Sequence, residues 1–209
     1  MSRTRSEAAR VFGLTVALGA WLAGIPFGLA SAGEEKAGKV LCGFNSEDEK
    51  NLLQWGDTVK AELVTDHVTE GEKAAKISFS AGKQFAGLGM CGDLLARWGD
   101  YDYFAFDVFN PNEGSSDIFI RMDDEQSKPG DYSTQYGGMF RAFPGANHFE
   151  IKTKRMPNQV QPWLQRKLDP NKLKVFALWL SPAPEKDTVL YFDNFSLWNN
   201  PRVVLPNAM

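Results

Sequence analysis

From residue 39 onward the chain is a succession of short stretches in which apolar and polar residues alternate, separated by turn-forming residues. TVKAELVT sets Val59, Ala61 and Leu63 against Lys60 and Glu62, the period-two pattern of a half-buried strand. KAAKISF repeats it with Ala75, Ile77 and Phe79. In YDYFAFDVFNP both halves of the alternation are largely apolar, Phe104, Phe106 and Val108 against Tyr103, Ala105, Asp107 and Phe109, which predicts a strand covered on both faces and ended by Asn110 and Pro111. SDIFIRMDD alternates Ile118, Ile120 and Met122 with Phe119, Arg121 and Asp123, giving one apolar face and one polar face. DEQSKPGDYS is a loop broken by Pro129 and Gly130. QYGGMFRAF and ANHFEIK flank Pro144-Gly145 at the spacing of a hairpin, and KRMPNQVQPWLQRKLDPNK, which holds Trp163, is the longest segment without strand pattern. LKVFALWL and DTVLYFDNFSLW close the series across the turn SPAPEKD. Strands at these intervals predict an all-β, two-sheet jelly-roll sandwich. One helical turn is expected in SEDEK, where Ser46 and Glu49 form a capping-box pattern ahead of Leu52, Leu53 and Trp55. Trp55, Trp98, Trp179 and Trp198 are expected to pack in the core or at sheet edges.

The first 32 residues follow a different logic. Arg3, Arg5 and Arg10 precede the apolar run VFGLTVALGAWLAGIPFGLA, which ends in the small residues Ala30, Ser31 and Ala32. That order is the charged, hydrophobic and small-residue sequence of a secretory signal, so residues 1–32 are read as a signal peptide, 33–199 as one sandwich domain and 200–209 as a tail. The run is about as long as a membrane span, and an uncleaved anchor is the alternative, although Gly19, Gly24, Pro26 and Gly28 weaken a spanning helix. The protein is expected to be secreted, periplasmic or at the cell surface, with no stable membrane span after cleavage.

Composition narrows the partners. The formal net charge is -3, and because the leader carries three Arg and one Glu, the remainder stands at about -5. With no basic run or repeat, nucleic acid is a poor partner. Cys42 and Cys91 are compatible either with one disulfide or with two small buried thiols. His67 and His148 are the only histidines and no nucleophile motif accompanies them, so a catalytic triad has little to build on. Asp123 and Asp124 are adjacent on a strand and point to opposite faces, which rules them out as carboxyls facing each other across a sugar. The chain is read as no enzyme.

Two sets of residues suit ligand chemistry. Sugar recognition uses flat aromatic rings against pyranose faces together with directional polar groups. Arg121 and Asp123 share one strand face, and Tyr132, Tyr136 and Trp163 fall on loops or strand edges beside it; the plainer reading is that Arg121 and Asp123 only pair with each other and that Trp163 packs under its loop. Calcium takes carboxylate, amide and backbone carbonyl oxygens, a chemistry that Asn45, Glu70 and Asp193 offer together with turn carbonyls near Lys73. The plainer reading there is a satisfied strand end and an exposed turn.

The succession FNSE…W, HVTEGEKAAKISF, WGDYDYFAFDVFNP, IRMDD, FPGANHFEI and LYFDNFSL, over residues 39–199, resembles the galactose-binding-like jelly rolls of carbohydrate-binding modules of the family-eleven and family-four types. It is also similar to the domain of complex I intermediate-associated proteins. The resemblance implies non-catalytic recognition of a poly- or oligosaccharide on the concave sheet, and a structural Ca2+ at the positions of Asn45, Glu70, Lys73 and Asp193. Such modules commonly open on Asp-Phe-Glu, whereas this chain has Gly43, Phe44 and Asn45, which weakens the ligand role carried to Asn45. The alternative function is a structural or assembly role in which the same sandwich docks a protein partner.

Overall fold

The computed structural model describes residues 38–157 and 166–199. The leader, Trp163 and the tail lie outside the described residues. In chain order the elements are β1 (Lys39–Cys42), α1 (Glu47–Asn51), β2 (Gln54–Trp55), β3 (Val59–Val64), β4 (Ala74–Phe79), β5 (Gly87–Met90), β6 (Tyr103–Asn110), β7 (Ser116–Asp124), β8 (Tyr136–Ala142), β9 (Gly145–Lys152), β10 (Leu173–Leu180) and β11 (Thr188–Trp198). They form two antiparallel sheets. The first runs β3-β4-β11-β6-β9, with β1 also on β11, and the second runs β2-β5-β10-β7-β8. Among the described residues no helix is long and apolar enough to cross a membrane.

The alternation read from sequence sets which side of each strand meets the other sheet. Phe104, Phe106, Phe192 and Phe195 from the first sheet and Ile118, Ile120, Met122, Phe176 and Leu178 from the second are all buried between them. Phe104 meets Phe176 edge-on at 5.4 Å, joining the sheets, and Trp98 stacks on Phe104 at 4.6 Å. Burial of each such side chain stabilises the fold by about 1.5–3 kcal/mol. β6 is covered on both faces as its composition predicts: Asp107 on its outer side is also buried. The first and last strands are neighbours, since Lys39 pairs with Leu197.

One connection differs from its expectation. β8 and β9 are not a hairpin: β8 pairs with β7 in the second sheet and β9 with β6 in the first, so Pro144 and Gly145 carry the chain from one sheet to the other. The apolar residues on both sides explain this. Phe140 from the second sheet and Phe149 from the first meet across the core at 5.5 Å, so the crossing buries both rings between the sheets.

Candidate functional site

The outer face of the second sheet is organised by register. Gln54 pairs with Gly89, Gly89 with Ala177, Ala177 with Arg121 and Arg121 with Gly137, so one row crosses all five strands. At roughly 4.8 Å between strands the row is about 19 Å long. Three of its five members are Gly or Ala, and the row is therefore a trough with a floor of backbone. The next outward-facing row is Gly87, Trp179, Phe119 and Met139. Trp179 and Phe119 lie 4.8 Å apart, and Phe85, 70% exposed, meets Trp179 at 5.5 Å. An apolar shelf thus stands along one side of the trough. On the other side Val175 pairs with Asp123.

Of the residues expected on this face, Arg121 and Asp123 are there and bonded to each other. Arg121 Nε donates to Asp123 Oδ1 at 3.0 Å, and an Nη donates to Oδ2. This fork holds the Arg121 pKa above its ordinary value. Tyr132 is 59% exposed, in a single helical turn within electrostatic reach of Arg121. Tyr136 is placed elsewhere: it pairs with Met122, whose side chain is buried in the core, and packs against that core, with its pKa pushed up to about 12 by burial. The alternation of β8 decides this, because Tyr136 and Phe140 share a parity. A Cβ at Gly138 would come within 2.5 Å of the Tyr136 hydroxyl, so Gly138 makes room for the ring. Trp163 lies outside the described residues. Trp179, expected in the core or at a sheet edge, instead faces outward in the middle of the sheet. Its neighbours in LKVFALWL carried the signal: Phe176, Leu178 and Leu180 are buried, which leaves Ala177 and Trp179 on the other side.

Asn45, Glu70, Lys73 and Asp193 come together where the β3–β4 turn crosses the outer face of the first sheet. Asp193 Oδ2 accepts from the Thr69 and Glu70 amides at 2.6 and 2.9 Å, and its Oδ1 accepts from the Asn194 amide at 2.7 Å. Asn45 Oδ1 accepts from the Glu72 and Lys73 amides at 2.5 and 3.3 Å, while its Nδ2 donates to Glu70 Oε2 at 3.0 Å. Lys73 therefore enters through its amide. Ser46 caps α1 as expected, accepting from the Glu49 amide at 3.2 Å, but Glu49 reaches past Ser46 to accept from the Gly43 and Asn45 amides at 2.9 and 3.2 Å. Burial, and then the nearby carboxylates of Glu49, Asp193 and Glu70, push the Cys42 thiol up to about 12. Cys42 is buried and Cys91 exposed, and both thiols are free. Among the described residues no three His, Cys, Asp or Glu side chains are gathered closely enough to hold a metal ion by themselves. Asn45 Oδ1 and Asp193 are both occupied in fastening the turn, which leaves Glu70, with Glu49 beside it, as the carboxylates of this cluster that fit calcium.

The same turn is held by a second set of contacts. Thr69 Oγ1 donates to Asp107 Oδ2 at 2.6 Å, Asn194 Nδ2 donates to the same oxygen at 2.9 Å, and the His67 ring stacks on Phe109 at 3.5 Å.

No family model and no curated protein matches the chain. Solved structures do. The chain is similar to the solution structure of CtCBM11, with a TM-score of 0.59 and 14% identity over 83% of this chain and 100% of that one. It is similar to a family 11 carbohydrate-binding module from Clostridium thermocellum in complex with a beta-1,3-1,4-mixed-linked tetrasaccharide, with a TM-score of 0.55 and 14% identity over 78% of this chain and 95% of that one. It is also similar to the agarase AgWH50C, with a TM-score of 0.59 and 18% identity over 78% of this chain, where the match spans only 26% of the agarase. The fold is the jelly-roll sandwich of carbohydrate-binding modules.

Proposed function

We propose that this chain is an exported, non-catalytic carbohydrate-binding protein that lays a poly- or oligosaccharide along the trough of the second sheet. The observation that carries this reading is the register that puts Gln54, Gly89, Ala177, Arg121 and Gly137 in one row beside Trp179 and Phe119. A sugar ring needs an apolar surface on one side and paired hydrogen-bonding groups on the other, and the shelf and the Arg121–Asp123 fork supply these at one place. The fold likeness supports the same reading, as one similar module was solved with a bound tetrasaccharide.

Non-catalysis is supported by the carboxylates. Asp123 is tied to Arg121, while Asp124 accepts from Arg166 and from the Asp169 amide. Export rests on the order of residues in the leader. A structural calcium would be held by Glu70, with Glu49 beside it and turn carbonyls, since among the described residues neither carboxylate has a basic side chain as partner.

Native gels cast with soluble polysaccharides test the main reading. Retardation by at least one polysaccharide, lost on Trp179→Ala, is the expected result. Equal mobility in every gel, for protein with an unchanged melting curve, would overturn it.

A further inference from the structure

Apart from Lys174 at the β10 bulge, the charged residues on the outer face of the second sheet are matched one to one. Arg121 and Asp123 share two hydrogen bonds, with side chains 34% and 11% exposed. Asp117 and Arg141, cross-strand partners on β7 and β8, share two more, Arg141 Nε to Asp117 Oδ1 at 2.7 Å and an Nη to Oδ2 at 2.9 Å. Gln54, Gly87, Gly89, Ala177, Trp179, Phe119, Met139 and Gly137 complete the two rows and carry no charge. Lys174 stands at the bulge where β10 loses register with β7, beyond Val175. The trough and its shelf therefore present hydrogen-bonding groups with no net charge.

We infer that the trough selects an uncharged polysaccharide and discriminates against chains carrying uronate or sulfate groups, with Asp123 as the residue that sets the preference. This rests on the carbohydrate-binding reading above. A carboxylate or sulfate ester brought to Arg121 finds the guanidinium already facing an acid in bidentate geometry, and must either displace Asp123 or lie beside its negative charge. Displacement would leave Asp123, which is largely buried, without its counterion, which is unfavourable. A neutral sugar meets no such barrier. Two of the five guanidinium N–H groups are engaged with Asp123, so the others remain to donate to hydroxyl oxygens. Asp123 still has lone pairs to accept from hydroxyl hydrogens. The fork is thus a donor and an acceptor for adjacent hydroxyls, and it gains nothing from a charged substituent.

The experiment uses polysaccharide pairs that share a backbone and differ in charge: agarose and chemically sulfated agarose, hydroxyethylcellulose and carboxymethylcellulose. Affinity electrophoresis in gels containing each, with albumin as the mobility control, should show retardation by a neutral member at least tenfold stronger than by its charged counterpart, and insensitive to added salt. Asp123→Asn exposes the Arg121 charge and should create salt-sensitive retardation by the charged member while weakening that by the neutral one. Asp123→Ser, a second removal of the acid at the same position, should create the same salt-sensitive retardation. Equal or stronger retardation of the wild-type protein by the charged members would overturn the inference and leave the carbohydrate-binding reading intact. Loss of preference failing to appear in either folded variant would also overturn it. Absence of retardation by all four polysaccharides would overturn the carbohydrate-binding reading, and the inference with it.

Discussion

Asp107 and His148 face each other across β6 and β9, with Asp107 Oδ1 2.5 Å from His148 Nδ1. The pair sits under the turn that Thr69 fastens to the same carboxylate, and His148 Nε2 lies 3.5 Å from Glu150 Oε1. The hydrogen bond to Asp107 raises the His148 pKa above 6.5. Burial alone would raise that of Asp107, but hydrogen bonds from His148, Thr69 and Asn194 outweigh it and bring the value below 3.8.

The sign of the pH dependence follows. A histidine with a raised folded-state pKa contributes stability that is complete below about 6.5 and is lost as pH rises through the raised value. The depressed Asp107 contributes stability present above 3.8 and lost as pH falls through its lower value. Urea midpoints should fall between pH 6 and 9 in the wild type and fall less in Asp107→Asn, which should also be less stable by about 2 kcal/mol at pH 6. Parallel midpoint curves for the two proteins would show that the pair does not couple to folding.

Trp179→Ala and Phe85→Ala should each weaken polysaccharide binding by about 1–3 kcal/mol without unfolding the domain, because both rings are on the outer face. Trp98→Ala should destabilise the fold by about 3–5 kcal/mol, since Trp98 is fully buried. Titration by calorimetry and thermal melts separates the two effects.

Ala177→Leu should obstruct the trough. The branched side chain stands on the floor between Gly89 and Arg121, at an outward-facing position that leaves the core untouched. Binding should drop at least tenfold while the melting temperature stays within a few degrees of the wild type.

Cys91 should react with Ellman's reagent in the native protein, and Cys42 only after denaturation. Cys42 combines burial with a pKa pushed to about 12, so almost none of it is thiolate at pH 8. Two native thiols reacting at the same rate would contradict this.

Calcium at a hundredfold excess over its dissociation constant should stabilise the fold by about 3 kcal/mol if Glu70 and the turn bind it. Coincident melting curves with calcium and with chelator, for protein verified metal-free, would remove the site. Gly71→Ala tests the turn independently. Gly71 has a φ of 68°, and a Cβ there would come within 2.2 Å of the Asn45 side-chain amide. Destabilisation by about 1–3 kcal/mol is expected with or without the metal.

The strands were legible because alternation is a local property: Ile118, Ile120 and Met122 declare the inner face of β7, and Phe119, Arg121 and Asp123 the outer one, whatever the rest of the chain does. The same rule, applied to Tyr136 through Phe140, would have turned Tyr136 inward and applied to Trp179 through Leu178 would have turned that ring outward. The Ser46 cap was legible for the same local reason. The target of Glu49 was not, because the Gly43 and Asn45 amides come within reach only once β1 has bent into α1.

Sequence by itself determined the alternating strands from β6 to β11 with β3 and β4, the all-β class and the polar character of one strand face, since each depends on residues a few positions apart; the short β2 and β5, too brief to show alternation, were not legible. Only the tertiary structure decided which residues from Gln54, Gly89, Arg121, Gly137 and Ala177 stand side by side, because register is set between strands that are distant in the chain. It likewise sent β8 and β9 to opposite sheets, where Phe140 and Phe149 fill the space between them, a choice that turn spacing alone does not contain.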